Sequence, residues 1–387
     1  MRTAVMPTSI TTRSTIRVAM DVLRSTFSAV PARSAHDRCI LVPVVLLLLA
    51  ATTALSAASS DRPPSGGGVQ LERDPSGEGY RLSGAGLWLA GDATVNAVVP
   101  EKGRPFATLE DVAVLVRADP TPRLSLFSEA RLENTFTLES GHGFKTGSAD
   151  LSIERLYADV LLTPHLTLRV GKMLTPFGLW NVIRRAPLSW TVERPPVTEQ
   201  TFPEHATGLD VTYQTTWHGW SFDATGYGPA QDKLAFHPSN DTGLLGGGRF
   251  ATGHSLGPAF AALGLDGATF EDAPTGRWAQ TYGTDLEIDV FGHQLTSEFA
   301  YERLRGPRVS DQSGLYVQDA MPIASGLYAV MRFDFFRARR GPDETGGLLG
   351  VFWHPLPHLI VKLDYQFADR QTDNLNPGLL AAVSLFF

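Results

Sequence analysis

A two-residue rhythm, sustained over long segments, limits what this chain can fold into more than any other feature. In Arg155–Leu162 one set of alternate positions is Leu156, Ala158, Val160 and Leu162, and the other carries Arg155, Tyr157 and Asp159. Successive side chains of a strand point to opposite faces, so this pattern predicts a strand with one apolar and one polar side. The pattern recurs. Leu166, Leu168 and Val170 alternate with Thr167, Arg169 and Gly171, and Leu286, Ile288 and Val290 with Asp285, Glu287 and Asp289. Leu327, Ala329, Met331, Phe333 and Phe335 run against Arg332 and Asp334, and Leu359, Val361, Leu363, Tyr365 and Phe367 against Lys362, Asp364 and Gln366. No window carries a convincing helical period, so the chain reads as all-β.

A soluble sandwich would alternate too, but three features point to a membrane. The alternating runs are about 9–14 residues long, the length of a tilted membrane crossing rather than of an ordinary strand. Aromatics gather near strand ends (Trp88, Tyr157, Tyr227, Tyr328, Phe336, Phe352, Trp353, Phe386, Phe387), as interfacial girdles require. Connections alternate between short and long. Tight turns are expected at Ala118–Thr121, Thr163–His165, Trp217–His218, near Gly253–His254, at Gly292, Met321–Ile323 and Pro355–Pro357, with long links at 92–107, 134–148, 174–205, 229–241, 266–277, 306–311, 338–344 and 370–377. This layout predicts a transmembrane antiparallel β-barrel over 81–387 with about 16 strands, within a range of 14–18. The weakest pair is the Gly-rich stretch 242–265, which holds Pro258, and a 14-strand barrel with one larger loop is the competing count. The last run, Gly378 to Phe387, places Leu379, Ala381, Val383, Leu385 and Phe387 on one face.

The N-terminus has a different character. Residues 1–38 hold six arginines and two acids, Cys39 to Ala51 are almost wholly apolar, and small residues follow to Ala58. That order describes a cleaved secretory signal peptide over 1–58, with a start codon placed too early, and a flexible Pro/Gly/Ser linker over 59–80. A retained transmembrane helix over Cys39–Ala58 is the rival reading. Without that segment, the 33 basic and 40 acidic residues of the chain fall to a net charge of −11. Only five lysines occur, and no basic stripe suits a nucleic acid. Cys39, the single cysteine, lies in the leader, which removes disulfides and cysteine metal sites from the mature chain.

Residues Glu154–Asn181 resemble the hairpin of bacterial outer-membrane porins of the phosphate-selective porin O/P type and their relatives. The resemblance rests on Tyr157-Ala158-Asp159, the Thr163-Pro164 turn, Leu168-Arg169-Val170-Gly171-Lys172 and Pro176-Phe177-Gly178. It implies an outer-membrane porin for ions and small polar solutes, set in lipid, with a homotrimer as the expected assembly and a C-terminal Phe resembling the sorting signal of such proteins. It also implies that the third long loop, 174–205, folds into the barrel as a constriction. Arg184, Arg185, Glu193, Arg194 and Glu199 are its candidate pore residues, with Trp180 and Trp190 as anchors; an ordinary external loop is the alternative. Phosphate selectivity is not expected, since Lys172 and Lys362 are the only lysines in strands.

The candidate lining residues on the strands are Arg131, Arg155, Asp159, Arg169, Asp285, Glu287, Asp289, Arg332, Asp334, Lys362 and Asp364. With Glu129, Glu133, Asp210, Glu298 and Glu302 the polar faces carry eleven acids against five bases, which predicts a weak cation preference. Arg184, Arg185 and Arg194 are expected to face Asp285, Glu287 and Asp289 across the pore. Passive diffusion is the expected mechanism, with no enzyme activity, cofactor or metal. Two other functions fit the same sequence: a barrel sheathing a partner such as a cytochrome, and an outer-membrane esterase. The second rests on Gly253-His254-Ser255-Leu256-Gly257, a G-x-S-x-G pattern with Ser255 as nucleophile and Asp285 with His293 or His354 as partners. His354 and His358 lack a helix to align them on a metal, because Pro355 and Pro357 intervene, and Gly141–Gly147 lacks the order of a phosphate loop.

Overall fold

The computed structural model describes residues 71–73, 79–82, 86–146, 150–183, 185–230, 242–272, 276–306, 311–372 and 374–386. The expected leader therefore lies outside the described residues, as do Arg184 and Phe387. Sixteen strands form the barrel wall: β1 (Leu87–Pro100), β2 (Phe106–Thr121), β3 (Leu124–Glu139), β4 (Asp150–Thr163), β5 (Leu166–Leu174), β6 (His205–Trp217), β7 (Trp220–Ala230), β8 (Thr242–Leu256), β9 (Ala259–Asp272), β10 (Arg277–Val290), β11 (His293–Leu304), β12 (Gln312–Ala324), β13 (Leu327–Arg337), β14 (Glu344–Leu356), β15 (Leu359–Ala368) and β16 (Gly378–Phe386). Each pairs antiparallel with its sequence neighbour. β16 then closes the sheet on β1 in a register running from Gly378↔Pro100 to Phe386↔Asp92. At this seam the Thr94 and Ser384 hydroxyls hydrogen bond at 2.9 Å. Closure leaves no open edge along the wall, which lets strands cross lipid with their backbone groups paired. Among the described residues no helix is long and apolar enough to cross a membrane.

The predicted alternation sorts the wall into two faces. Leu156, Val170, Phe250, Phe333 and Leu349 are exposed on the outside, whereas Asp285, Arg332, Asp334, Lys362 and Asp364 are buried on the inside. That is the reverse of a soluble protein and the arrangement lipid demands. Gly171 shows how local sequence serves the sheet. It takes a φ of +136°, and a Cβ there would run into the backbone of Leu156 and Tyr157 on β4.

Seven tight connections alternate with eight longer ones, as the sequence predicts, but several boundaries move. The 92–107 link shrinks to 101–105 and the 266–277 link to 273–276, because both flanking strands run further into polar sequence. The turn expected near Gly253–His254 lies at Gly257–Pro258, and Gly253 and His254 are paired inside β8. Part of the expected flexible linker is also ordered as sheet. Tyr80–Leu82 pairs with Leu87–Leu89, and Leu71–Arg73 pairs with Tyr80–Leu82 in turn. The reason lies in β1, which begins five residues before its first partner on β16, so the ribbon covers an edge that would otherwise stay bare.

Candidate pore and inner loop

The connection between β5 and β6 folds back into the barrel. It contains two 3-10 turns, Asn181–Ile183 and Ala186–Leu188, and one short helix, α1 (Pro196–Gln200). Two apolar contacts seat it. Phe177, Trp180, Val197 and Phe202 join inward-facing Tyr227, Leu245, Phe270, Leu304 and Tyr316 in one buried cluster. The wall is hollowed to receive them: a Cβ on Gly283 would lie 2.6 Å from the Phe177 ring, and one on Gly314 would lie 2.7 Å from Val197. Further along, the Trp190 ring packs on Phe352 and Tyr328 at centroid distances of 4.7 and 4.8 Å, and its N–H donates to Gln294.

Buried charges hold the rest of the loop. Lys362 Nζ donates to the Ala186 carbonyl (2.6 Å), Ser189 Oγ (2.7 Å) and the Thr191 carbonyl (3.1 Å). Asp364 accepts the Val192 N–H at 2.6 Å. Arg332 pairs with Asp334 at 2.8 Å and donates to Thr191 Oγ1 and the Glu193 carbonyl. At the opposite end of the same stretch, Arg185 Nε donates to Asp92 Oδ2 at 2.8 Å. Near α1, Thr281 donates to the Thr201 carbonyl, and Glu298 accepts from the Trp180 N–H and the Tyr316 hydroxyl. Gly178, at a φ of +66°, lets the chain turn directly beside Glu298.

This geometry corrects the expected transverse field. Arg185 is buried against Asp92 and Arg194 pairs with Glu204 at 2.9 Å, so neither faces Asp285, Glu287 or Asp289. Asp285 instead shares Arg249 with Asp266. Glu193 and Glu199 lie exposed on the loop. Of the other expected lining residues, Arg131 is buried among Glu129, Asp111 and Glu133, while Arg155 pairs with Glu129 and Arg169 with Asp159. Arg155 also lies over the Phe127 ring and Arg169 over the Tyr157 ring, and the two rings stack at 5.1 Å. Asp210, Asp223, Glu287 and Asp289 have no cation within ion-pair distance among the described residues. The sequence reading missed Asp92, Asp266 and Arg249. The first two fell in stretches read as loops and the third in the Gly-rich pair, although inward polar positions on either side were a usable signal.

Ser255 lies at the exposed end of β8, where a tight turn leads into β9 rather than into a helix. Asp285 is committed to Arg249, and His293 pairs with Asp319 at 3.2 Å.

No protein-family profile matches the chain, and no curated protein sequence does. Solved structures do. The chain is similar to Salmonella typhi OmpF in complex with daunomycin, at 13% identity and a TM-score of 0.56 over 79% of this chain and 98% of that one. An anion-selective porin from Comamonas acidovorans aligns at 14% identity and 0.52, over 78% and 98%. OmpT of Vibrio cholerae, an outer membrane protein in its trimer form, aligns at 13% and 0.50, over 78% and 99%. At these identities the likeness is one of fold: the chain has the closed 16-strand barrel of outer-membrane porins.

Proposed function

We propose that this chain is a bacterial outer-membrane porin, exported by its leader, that lets ions and small polar solutes diffuse through a water-filled lumen. A barrel of this strand number encloses more space than its side chains fill, whereas about eight strands would be packed solid. The observation that carries the reading is the inner loop, seated by Phe177 and Val197 on the β7–β12 side and tied by Arg185 and Lys362 to β1 and β15 on the other, so that it crosses the lumen. Solutes then pass between its exposed edge and the strands carrying Arg155, Asp159 and Arg169.

A weak cation preference follows from which charges stay uncompensated. The basic residues Arg131, Arg155, Arg169, Arg185, Arg249 and Arg332 all sit in ion pairs. Asp223, Glu287 and Asp289 on the wall have no cation in ion-pair range among the described residues. In a narrow passage with low-dielectric walls such charges act on a passing ion with little screening. Phosphate selectivity is not supported, since Lys172 and Lys362 are buried. Neither is hydrolysis, since two of the partners expected for Ser255 are engaged elsewhere, Asp285 with Arg249 and His293 with Asp319. The chain works without a cofactor, in lipid, as a homotrimer. Planar-bilayer recordings in a salt gradient test the reading: discrete conductance steps with a reversal potential on the cation side are expected, and anion selectivity would overturn the charge argument.

A further inference from the structure

The outer surface across β2–β5 is not smooth. Ala118, Ser128 and Ala158 form a floor of short side chains between Leu126, Leu156 and Val170, leaving a depression of about 330 Å³. It lies near the tight turns: Leu126 is three residues from Arg123, about 10 Å along a strand. Arg123 is exposed in its turn, with no carboxylate in ion-pair range among the described residues. A hollow walled by apolar side chains, with an arginine on the turn three residues beyond Leu126, matches an amphiphile with an apolar tail and an anionic head. Guanidinium is the side chain best suited to a phosphate.

We propose that this depression seats one acyl chain of an anionic phospholipid whose phosphate is held by Arg123. The inference rests on the barrel lying in a membrane, and it is independent of whether the lumen conducts. A second copy of the chain is the less suitable occupant. A neighbouring copy in a trimer would rest its convex wall on the ridges of Leu126, Leu156 and Val170 and leave the hollow between them unfilled.

The test uses the purified protein in vesicles of phosphatidylethanolamine and phosphatidylglycerol that contain a trace of phosphatidylglycerol with a diazirine in its tail. After photolysis, label is expected severalfold enriched in peptides covering 116–128 and 156–170 over those from β12–β14. Filling the floor with Ser128→Phe and Ala158→Phe should remove the enrichment, and a heat-modifiable gel shift shows that the variant is folded. Arg123→Gln, which leaves the wall untouched, should lower labelling by the phosphatidylglycerol probe more than by a zwitterionic phosphatidylcholine probe with the same tail. Uniform labelling around the barrel, or enrichment that survives both variants, would overturn the proposal. So would an enrichment that is absent while the filled variant alters the oligomeric state, which would assign the hollow to a second copy.

Discussion

Lys362 and Asp364 occupy the inward positions that alternation predicts, yet their partners lie more than 170 residues away on the inner loop. Their placement was legible in the sequence; their task was not, because period-2 patterning gives a face and not what lies against it. Lys362→Met would leave three loop acceptors and Asp364 without their cation. Removing one partner of a buried charge set costs about 3–5 kcal/mol. The expected result is a lower midpoint for heat-induced unfolding in detergent and noisier single-channel currents as the 186–191 stretch loosens. Glu287 and Asp289 should behave otherwise, since no ion pair among the described residues depends on them. Replacing both by Gln and Asn is expected to leave thermal stability nearly unchanged while moving the reversal potential toward zero. Acidification that protonates these carboxylates should act in the same direction. Neutralised carboxylates remove negative charge from the passage, so cation preference falls with pH.

The length of the 174–205 connection was legible in the sequence, and the expectation that it folds inward came from the porin resemblance carried in part by Pro176-Phe177-Gly178. The seating of the loop was not legible. Gly283 and Gly314 look like weak points in strands until Phe177 and Val197 are seen above them. Gly283→Leu is therefore expected to displace Phe177 and raise conductance without abolishing insertion. Deleting 182–200 should raise conductance severalfold and weaken discrimination between solutes, and it should also lower the unfolding temperature, because it uncovers the aromatic face of Phe352 and Tyr328. Unchanged conductance in that deletion would place the passage elsewhere. The same reasoning explains the hairpin that the sequence left weakest. Gly247 in β8 lies beneath the Tyr227 ring, so a glycine that lowers strand propensity is covered by a neighbouring aromatic.

Across the whole molecule, strand number and the alternation of short and long connections were readable. The strand ends were not, because inward-facing strand residues of a barrel are as polar as loop residues. Circular dichroism of the detergent-extracted protein should show predominantly strand, and unboiled samples should migrate differently from boiled ones in gels. The seam carries a consequence for how the chain reaches this state. The bond between Thr94 and Ser384 joins residues 290 positions apart. Loop-closure entropy for so distant a contact is paid before any of its pairing is gained, and topologies dominated by distant contacts fold slowly. The first strand must wait for the last, and until then both ends of the sheet are adhesive. A chain cut before Gly378 should therefore accumulate as aggregate and show no heat-modifiable band, although fifteen of its strands are intact. The final nine residues of the wall thus decide whether the other strands stay soluble long enough to become a barrel.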